Sequence, residues 1–256
     1  MATPLDILTQ AHAAQQGREG LQAALQARRA FTGIDFDSKI QVARTVDAVV
    51  PTLLQRRAAS VASSRSYYAR ARAVSQGRTT LMPSVPDDAT AEERLRSSLW
   101  ILARGRRERE DRGKTQGEIA RSAVRHTLDG GRSYISTTVL RDETALGFTR
   151  HTAGDARVCA FCAMLASRED YKATSFARSD PRFEMGGNPL ANAKVHDGCR
   201  CTLRPVFIGD PVPPQTRIAL DLWKSLSEGD GKDAWRSFRR NYNRAVAAGT
   251  PIWQTA

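Results

Sequence analysis

Apolar positions recur every three or four residues through most of the first 76 residues, and the period breaks once, at Thr32-Gly33-Ile34-Asp35-Phe36-Asp37. A glycine followed by acidic capping residues separates helices, so the pattern predicts two long ones. In the second, Val42, Val46, Val49, Val50, Leu53 and Leu54 form one stripe, and Pro51 is a candidate kink. Between Gly77 and Asp88 a glycine and two prolines interrupt any helical period, which predicts a loop or hinge. Thr90-Ala91-Glu92-Glu93 reads as a capping box opening a third helix, whose Leu95, Leu99, Trp100 and Leu102 face a packing partner. A fourth helix is predicted near 115–128, with Asp129-Gly130-Gly131 supplying the left-handed residue that ends it. Residues 133–141 fit helix and strand equally well.

Beyond Ala145 the texture changes to short strand-like runs and turns. Gly186-Gly187-Asn188-Pro189 marks an exposed loop, and Thr202 to Ile208 predicts a strand that Pro205 confines to an edge or a bulge. The last 45 residues return to a helical period. There Trp235, Phe238 and Tyr242 share one side and dock on the core, while Arg236, Arg240 and Arg244 repeat every four residues on another. The predicted architecture is mainly α with a small α+β domain: a helical N-terminal domain over 1–142, a Cys/His-clasped domain over 143–210 and a C-terminal helical tail over 211–256.

Charge adds a direction to this picture. The 256-residue chain carries a formal +12, almost all of it from arginine, which points towards anionic partners. Arginine-rich coding explains part of the excess over lysine, so the residue type alone does not specify phosphate recognition. The run from Arg104 to Arg112 is diluted by Glu108, Glu110 and Asp111 and reads as a solvated helix end. The polar start and the lack of any run as long as a membrane span predict no secretory signal and no membrane anchor, hence a reducing compartment.

The most specific chemistry lies in Cys159-Ala160-Phe161-Cys162 and His196-Asp197-Gly198-Cys199-Arg200-Cys201, which gather all four cysteines and one of four histidines across a 33-residue insert. Two cysteines at i and i+3 can aim both sulfurs into one turn, and a second group returning from afar can complete a tetrahedral zinc shell. Five candidates exceed four positions. Cys159 and Cys162 form the first pair; if Cys199 and Cys201 lie on a strand, a full pleat separates them and His196 joins only one, whereas a knuckle turn lets both bind. Two disulfides, or inert buried thiols, are the competing readings. His151 is read as a polar strand residue.

These residues also carry a resemblance. Gly147-Phe148-Thr149-Arg150-His151, the run Val158 to Ala166, Thr174-Ser175-Phe176 and the run His196 to Phe207 resemble the Mu F-like minor head proteins of tailed bacteriophages, with close relatives in actinobacterial phages. In that family a C-x-x-C with a later H-x-x-C-R-C closes a small domain behind a long helical segment, and the order here is the same. The resemblance covers residues 147–207 and implies a portal-associated head protein, present in few copies inside the virion after synthesis in the host cytoplasm. It implies portal and capsid proteins as partners, with packaged DNA as an anionic neighbour that Arg236, Arg240 and Arg244 could meet, and no small-molecule substrate.

Catalysis finds little support in the sequence. It lacks a G-x-S-x-G elbow, an H-E-x-x-H helix and a phosphate-cradling glycine loop. A maturation protease would have to assemble its site from remote residues, with His126 or His151 as the base. A zinc-clasped nuclease would draw on Asn188, Asn192 and His196, but no upstream His-His or Asp-His pair precedes them to activate water.

Overall fold

The computed structural model describes residues 2–77, 89–105, 112–152, 158–167, 199–250 and 253. The two predicted N-terminal helices are α1 (Pro4–Ala30) and α2 (Lys39–Gln76). Local chemistry sets their ends. Thr3 accepts from the Asp6 amide at 3.2 Å while the Asp6 carboxylate accepts from the Thr3 amide at 2.9 Å, a reciprocal cap with Pro4 in the first turn. Ser38 caps α2, which runs unbroken through Pro51 and stops at Gly77, whose φ of 64° is the left-handed conformation glycine adopts without a steric penalty. Then come α3 (Ala91–Arg104), α4 (Arg112–Val139), β1 (Ala145–His151), α5 (Ala160–Ala166), β2 (Thr202–Phe207), α6 (Pro214–Leu226) and α7 (Gly231–Ala247).

The capping box expected at Thr90 does not form. Thr90 precedes α3 but its side chain makes no capping hydrogen bond, because its backbone (φ −95°, ψ 5°) is not the extended conformation that aims the hydroxyl at the first-turn amides. A second expectation is overturned in α4, which does not stop at Gly130-Gly131 but continues to Val139 and absorbs most of the stretch that fitted helix and strand alike. These glycines permit close approach. A Cβ on Gly131 would lie 2.4 Å from Ser64 Oγ and 2.7 Å from Ser60 Oγ, and one on Gly130 would lie 2.8 Å from Arg57 Cγ, so α2 and α4 cross there backbone to backbone. Ser60 Oγ accepts from the Gly131 amide at 3.2 Å and donates to buried Gln16 of α1 at 2.6 Å, tying the three helices together.

The valine stripe of α2 is buried as predicted and packs with Phe31, which caps the end of α1, with Leu95 and Leu99 of α3 and with Ile119 of α4. A second cluster joins the bundle to the sheet: Leu5, Tyr67, Tyr68, Tyr134, Ile135 and Val139 meet Phe148, Leu203 and Phe207. β1 and β2 are antiparallel, Phe148 opposite Pro205 and Arg150 opposite Leu203, with the irregularity between Ala145 and Gly147 rather than at the proline. A two-stranded sheet has only edges, so Pro205 costs no interior ladder bond. The third cluster gathers the cysteine segments under Phe238 and Tyr242 of α7. The expected loop after Gly77, most of the Arg104–Arg112 run and the Gly186–Pro189 loop lie outside the described residues.

Candidate metal centre

Cys159 ends an extended segment (φ −81°, ψ 154°) and caps α5, its sulfur accepting from the Cys162 amide at 3.3 Å. That turn carries Cys162 one helical turn on and points it inward. Cys199 and Cys201 precede β2 in irregular backbone, so the pleat that would have separated them is absent. The sulfurs of Cys162, Cys199 and Cys201 all lie within 4.8 Å of one another, with Cys162 to Cys199 at 3.4 Å. All three are buried, Cys159 adds a half-buried fourth thiol beside Cys162, and none of the four is in a disulfide. Three cysteines are thus close enough to hold a metal ion. His196 lies outside the described residues; His151 stands in β1 opposite Thr202, apart from the thiol group.

Two arginines surround this cluster: the sequence pattern did not single out Arg132, and Arg150 entered only within the Gly147–His151 run, with no role of its own. Arg132 of α4 donates from Nε to the Cys201 carbonyl at 2.9 Å and from Nη2 to the Cys199 carbonyl at 2.7 Å, while Nη1 meets Asp129 at 3.0 Å. It fixes the backbone of the second cysteine pair to the helical body. Arg150 of β1, 3% exposed, directs Nη1 to Cys199 Sγ at 3.8 Å and leaves Nε without a hydrogen-bond partner. Burial opposes its charge, but the four cysteine sulfurs outweigh that and hold its pKa above the ordinary value. Hydrogen bonding from Cys162 and Cys201, reinforced by Arg132 and Arg150, pulls the Cys199 thiol down, whereas hydrogen bonding with Cys159 first, then Cys199 and Cys201, pushes Cys162 up.

A guanidinium is permanently charged, and burying one without an anion costs several kcal/mol. Neutral thiols would leave Arg150 unpaired, whereas a Cys199 thiolate, free or ligating a cation, satisfies it. The donor set fits zinc, because sulfur-rich shells select it and the sulfurs converge from two segments. The aromatic face of α7 seals the other side: Tyr242 donates to the Val158 carbonyl at 2.9 Å, and Trp235 packs edge-on against Phe161. Arg236, Arg240 and Arg244 are exposed on the opposite face of that helix.

A family model described as VG15 protein matches residues 5–224, a span that includes the bundle, both strands and all four cysteines. The chain belongs to the VG15 protein family. VG15 is a family of phage proteins, and its match covers the helical body and the thiol cluster together. No curated protein and no solved structure matches the chain. Among the described residues of this VG15 protein, no helix is long and apolar enough to cross a membrane.

The histidines named as catalytic bases sit in poor settings for that work. His126 Nε2 lies 2.9 Å from Ser98 Oγ, a contact a serine hydrolase could use, but Arg125 crowds the same nitrogen at 3.0 Å. Burial first, then Arg125, Arg57 and Arg94, lower its pKa to about 3. His151 is lowered to about 4 by burial and Arg204, and His12, stacked on Tyr67, to about 3 by burial and His151. Imidazoles that weakly basic are poor proton acceptors near neutral pH, because a general base works best with a pKa close to the operating pH. Asn188 and Asn192 lie outside the described residues.

Proposed function

We propose that this VG15 protein is a Mu F-like minor head protein of a tailed phage, made in the host cytoplasm and built into the head interior beside portal and capsid proteins. In this reading Cys159, Cys162, Cys199 and Cys201 hold a structural zinc ion, with His196 the competing donor for one position. When bound, zinc would cross-link the two segments and neutralise their thiolates. The chain's own residues do the rest: Arg132 holds the Cys199 and Cys201 carbonyls, Arg150 supplies the compensating charge and α7 excludes water.

The observation that carries the reading is the burial of three of the thiols: Cys162, Cys199 and Cys201 are 2%, 2% and 5% exposed. The void beside Cys201, lined by His12, Gln16, Leu128, Ile135 and Leu203, is too tight to admit water. Catalytic zinc keeps an open position and structural zinc does not. A phage-family chain whose three metal-competent thiols are buried, and whose described histidines are weak bases, has the chemistry of a building block. The Ser98–His126 contact is the one described feature that favours a maturation protease, and the guanidiniums around it weaken that alternative.

Co-expression with the phage's portal and capsid proteins tests the proposal. The expected result is a stoichiometric zinc ion, no turnover and co-purification with portal. Capsid or scaffold cleavage that disappears in Ser98→Ala or His126→Ala would establish the protease instead, and divalent-dependent DNA cutting would establish a nuclease.

A further inference from the structure

α7 presents two faces of different chemistry, and only the inward one is accounted for. Ala234, Ser237, Phe238 and Tyr242 are buried, and Trp235 is half-buried against Phe161 and Phe238. Lys232, Arg236, Arg239, Arg240, Asn243 and Arg244 are all exposed. The acidic residues near this helix, Glu228, Asp230 and Asp233, stand at or before its first turn, and no acidic residue follows Asp233 in the chain. Asp233 meets Arg236 at 3.3 Å, but both side chains are about three-quarters exposed, so water and salt screen that pair.

The helix dipole does not explain the arrangement. Its pull on cations fades within the last turn, which contains Arg244 alone among these arginines. Arg236, Arg239 and Arg240 stand further back, where nothing among the described residues requires positive charge. We propose that this face binds the phosphate backbone of double-stranded DNA without reading its sequence.

Geometry and composition favour that ligand over others. Arg236, Arg240 and Arg244 follow one another at steps of about 6 Å along the helix axis. A duplex presents a phosphate charge about every 1.7 Å of its own axis, so each guanidinium finds one without distortion of either partner. Single-stranded nucleic acid is bound largely by stacking bases on rings, and the rings of α7 are turned inward. A protein partner would want an apolar or aromatic anchor at the centre of the contact, and the exposed face offers none. The inference stands on α7 itself; the head-protein reading only supplies a place where duplex DNA would be met, and either can fail without the other.

The test is fluorescence anisotropy of the full chain with a labelled random-sequence duplex across a salt series. Four arginine–phosphate contacts predict a loss of affinity of about 100-fold between about 50 mM and about 200 mM salt. The variant Arg236→Gln/Arg240→Gln/Arg244→Gln should flatten the slope of log affinity against log salt by roughly 3. Its helix content and metal content should stay those of the parent, since these side chains lie outside every core cluster. Arginine-to-lysine replacement at the same positions should keep most of the slope. The proposal is overturned if the parent chain does not bind duplex at low salt, if the glutamine variant binds with unchanged affinity and slope, or if a single strand is preferred. It is equally overturned if portal capture, rather than DNA binding, is what the variant loses.

Discussion

The helical body and the cysteine clasp bury their surfaces by different means. Val42, Val46, Val49, Val50 and Leu53 fill the space between α1, α3 and α4, and close helix approach at Gly130 and Gly131 adds contact without any bound group. Around the cysteines the described core combines short segments and four thiols with Leu222, Trp223 and Leu226 of α6 and the aromatics of α7, and a buried arginine is directed into it. A bundle of long amphipathic helices removes enough apolar area from water to hold its shape. A seven-residue helix and a two-stranded sheet do not, and a cross-link is the usual remedy. The difference teaches that damage to one region should be read out separately from damage to the other.

The largest expected effect is on the clasp. Cys199→Ser removes a sulfur from the centre of the cluster, and structural zinc commonly contributes on the order of 10 kcal/mol of apparent folding free energy. The variant should lose bound metal and become protease-sensitive near residues 158–167 and 199–207, while the cooperative melting of the bundle persists. A variant that keeps full metal content would break the comparison from the clasp side.

From the other side, Gly131→Ala drives a methyl group to within 2.4 Å of Ser64 Oγ and 3.0 Å of the Ser60 carbonyl. Overpacking of this kind costs about 1–3 kcal/mol. The denaturant midpoint of the bundle should fall accordingly with metal stoichiometry unchanged. A neutral result would mean that the α2–α4 crossing is looser than its geometry.

Arg150→Met tests the charge that links the regions. Loss of an outer partner of a metal site typically lowers metal affinity 10–100-fold, and competition with a chromogenic chelator should show a drop in that range. Unchanged affinity would show that the sulfurs carry no charge for Arg150 to balance.

A smaller, graded effect follows from the buried histidines. His12 is held near pKa 3 in the fold against about 6.5 when unfolded, so the unfolded chain takes up the proton first as pH falls. Stability contributed above pH 6.5 is therefore lost progressively as pH drops towards 3, by about 2 kcal/mol for His12 at pH 5. His12→Phe, which keeps a ring against Tyr67, should shrink the difference in unfolding midpoint between pH 7 and pH 5. An identical pH dependence in the variant would exclude His12 as its source.

Much of the bundle was legible because its signals are local. The valine stripe of α2, the break at Gly33 and the inward aromatics of α7 are each written within a few turns of helix. Gly130-Gly131 misled for the same reason: locally it is a stop signal, and only the opposing Ser60 and Ser64 of a helix some 70 residues away make it a contact surface. Thr90 carried the residues of a cap without the backbone to use them, whereas Thr3 and Asp6 formed one that was not anticipated. The cysteines were legible as a cluster, and the structure favours the knuckle arrangement in which Cys199 and Cys201 both face Cys162. Arg132 and Arg150 were not legible, because a buried arginine in a basic chain has no local mark. Their roles depend on carbonyls and sulfurs dozens of residues away.

Hydrogen exchange of the full chain before and after chelation tests the metal-held clasp most directly. Metal removal is predicted to abolish protection of the amides in 158–167 and 199–207 and to leave α1, α2 and α4 protected. Equal protection of the cysteine segments with and without metal, or a clasp that is protected in a chain purified free of metal, would contradict the account.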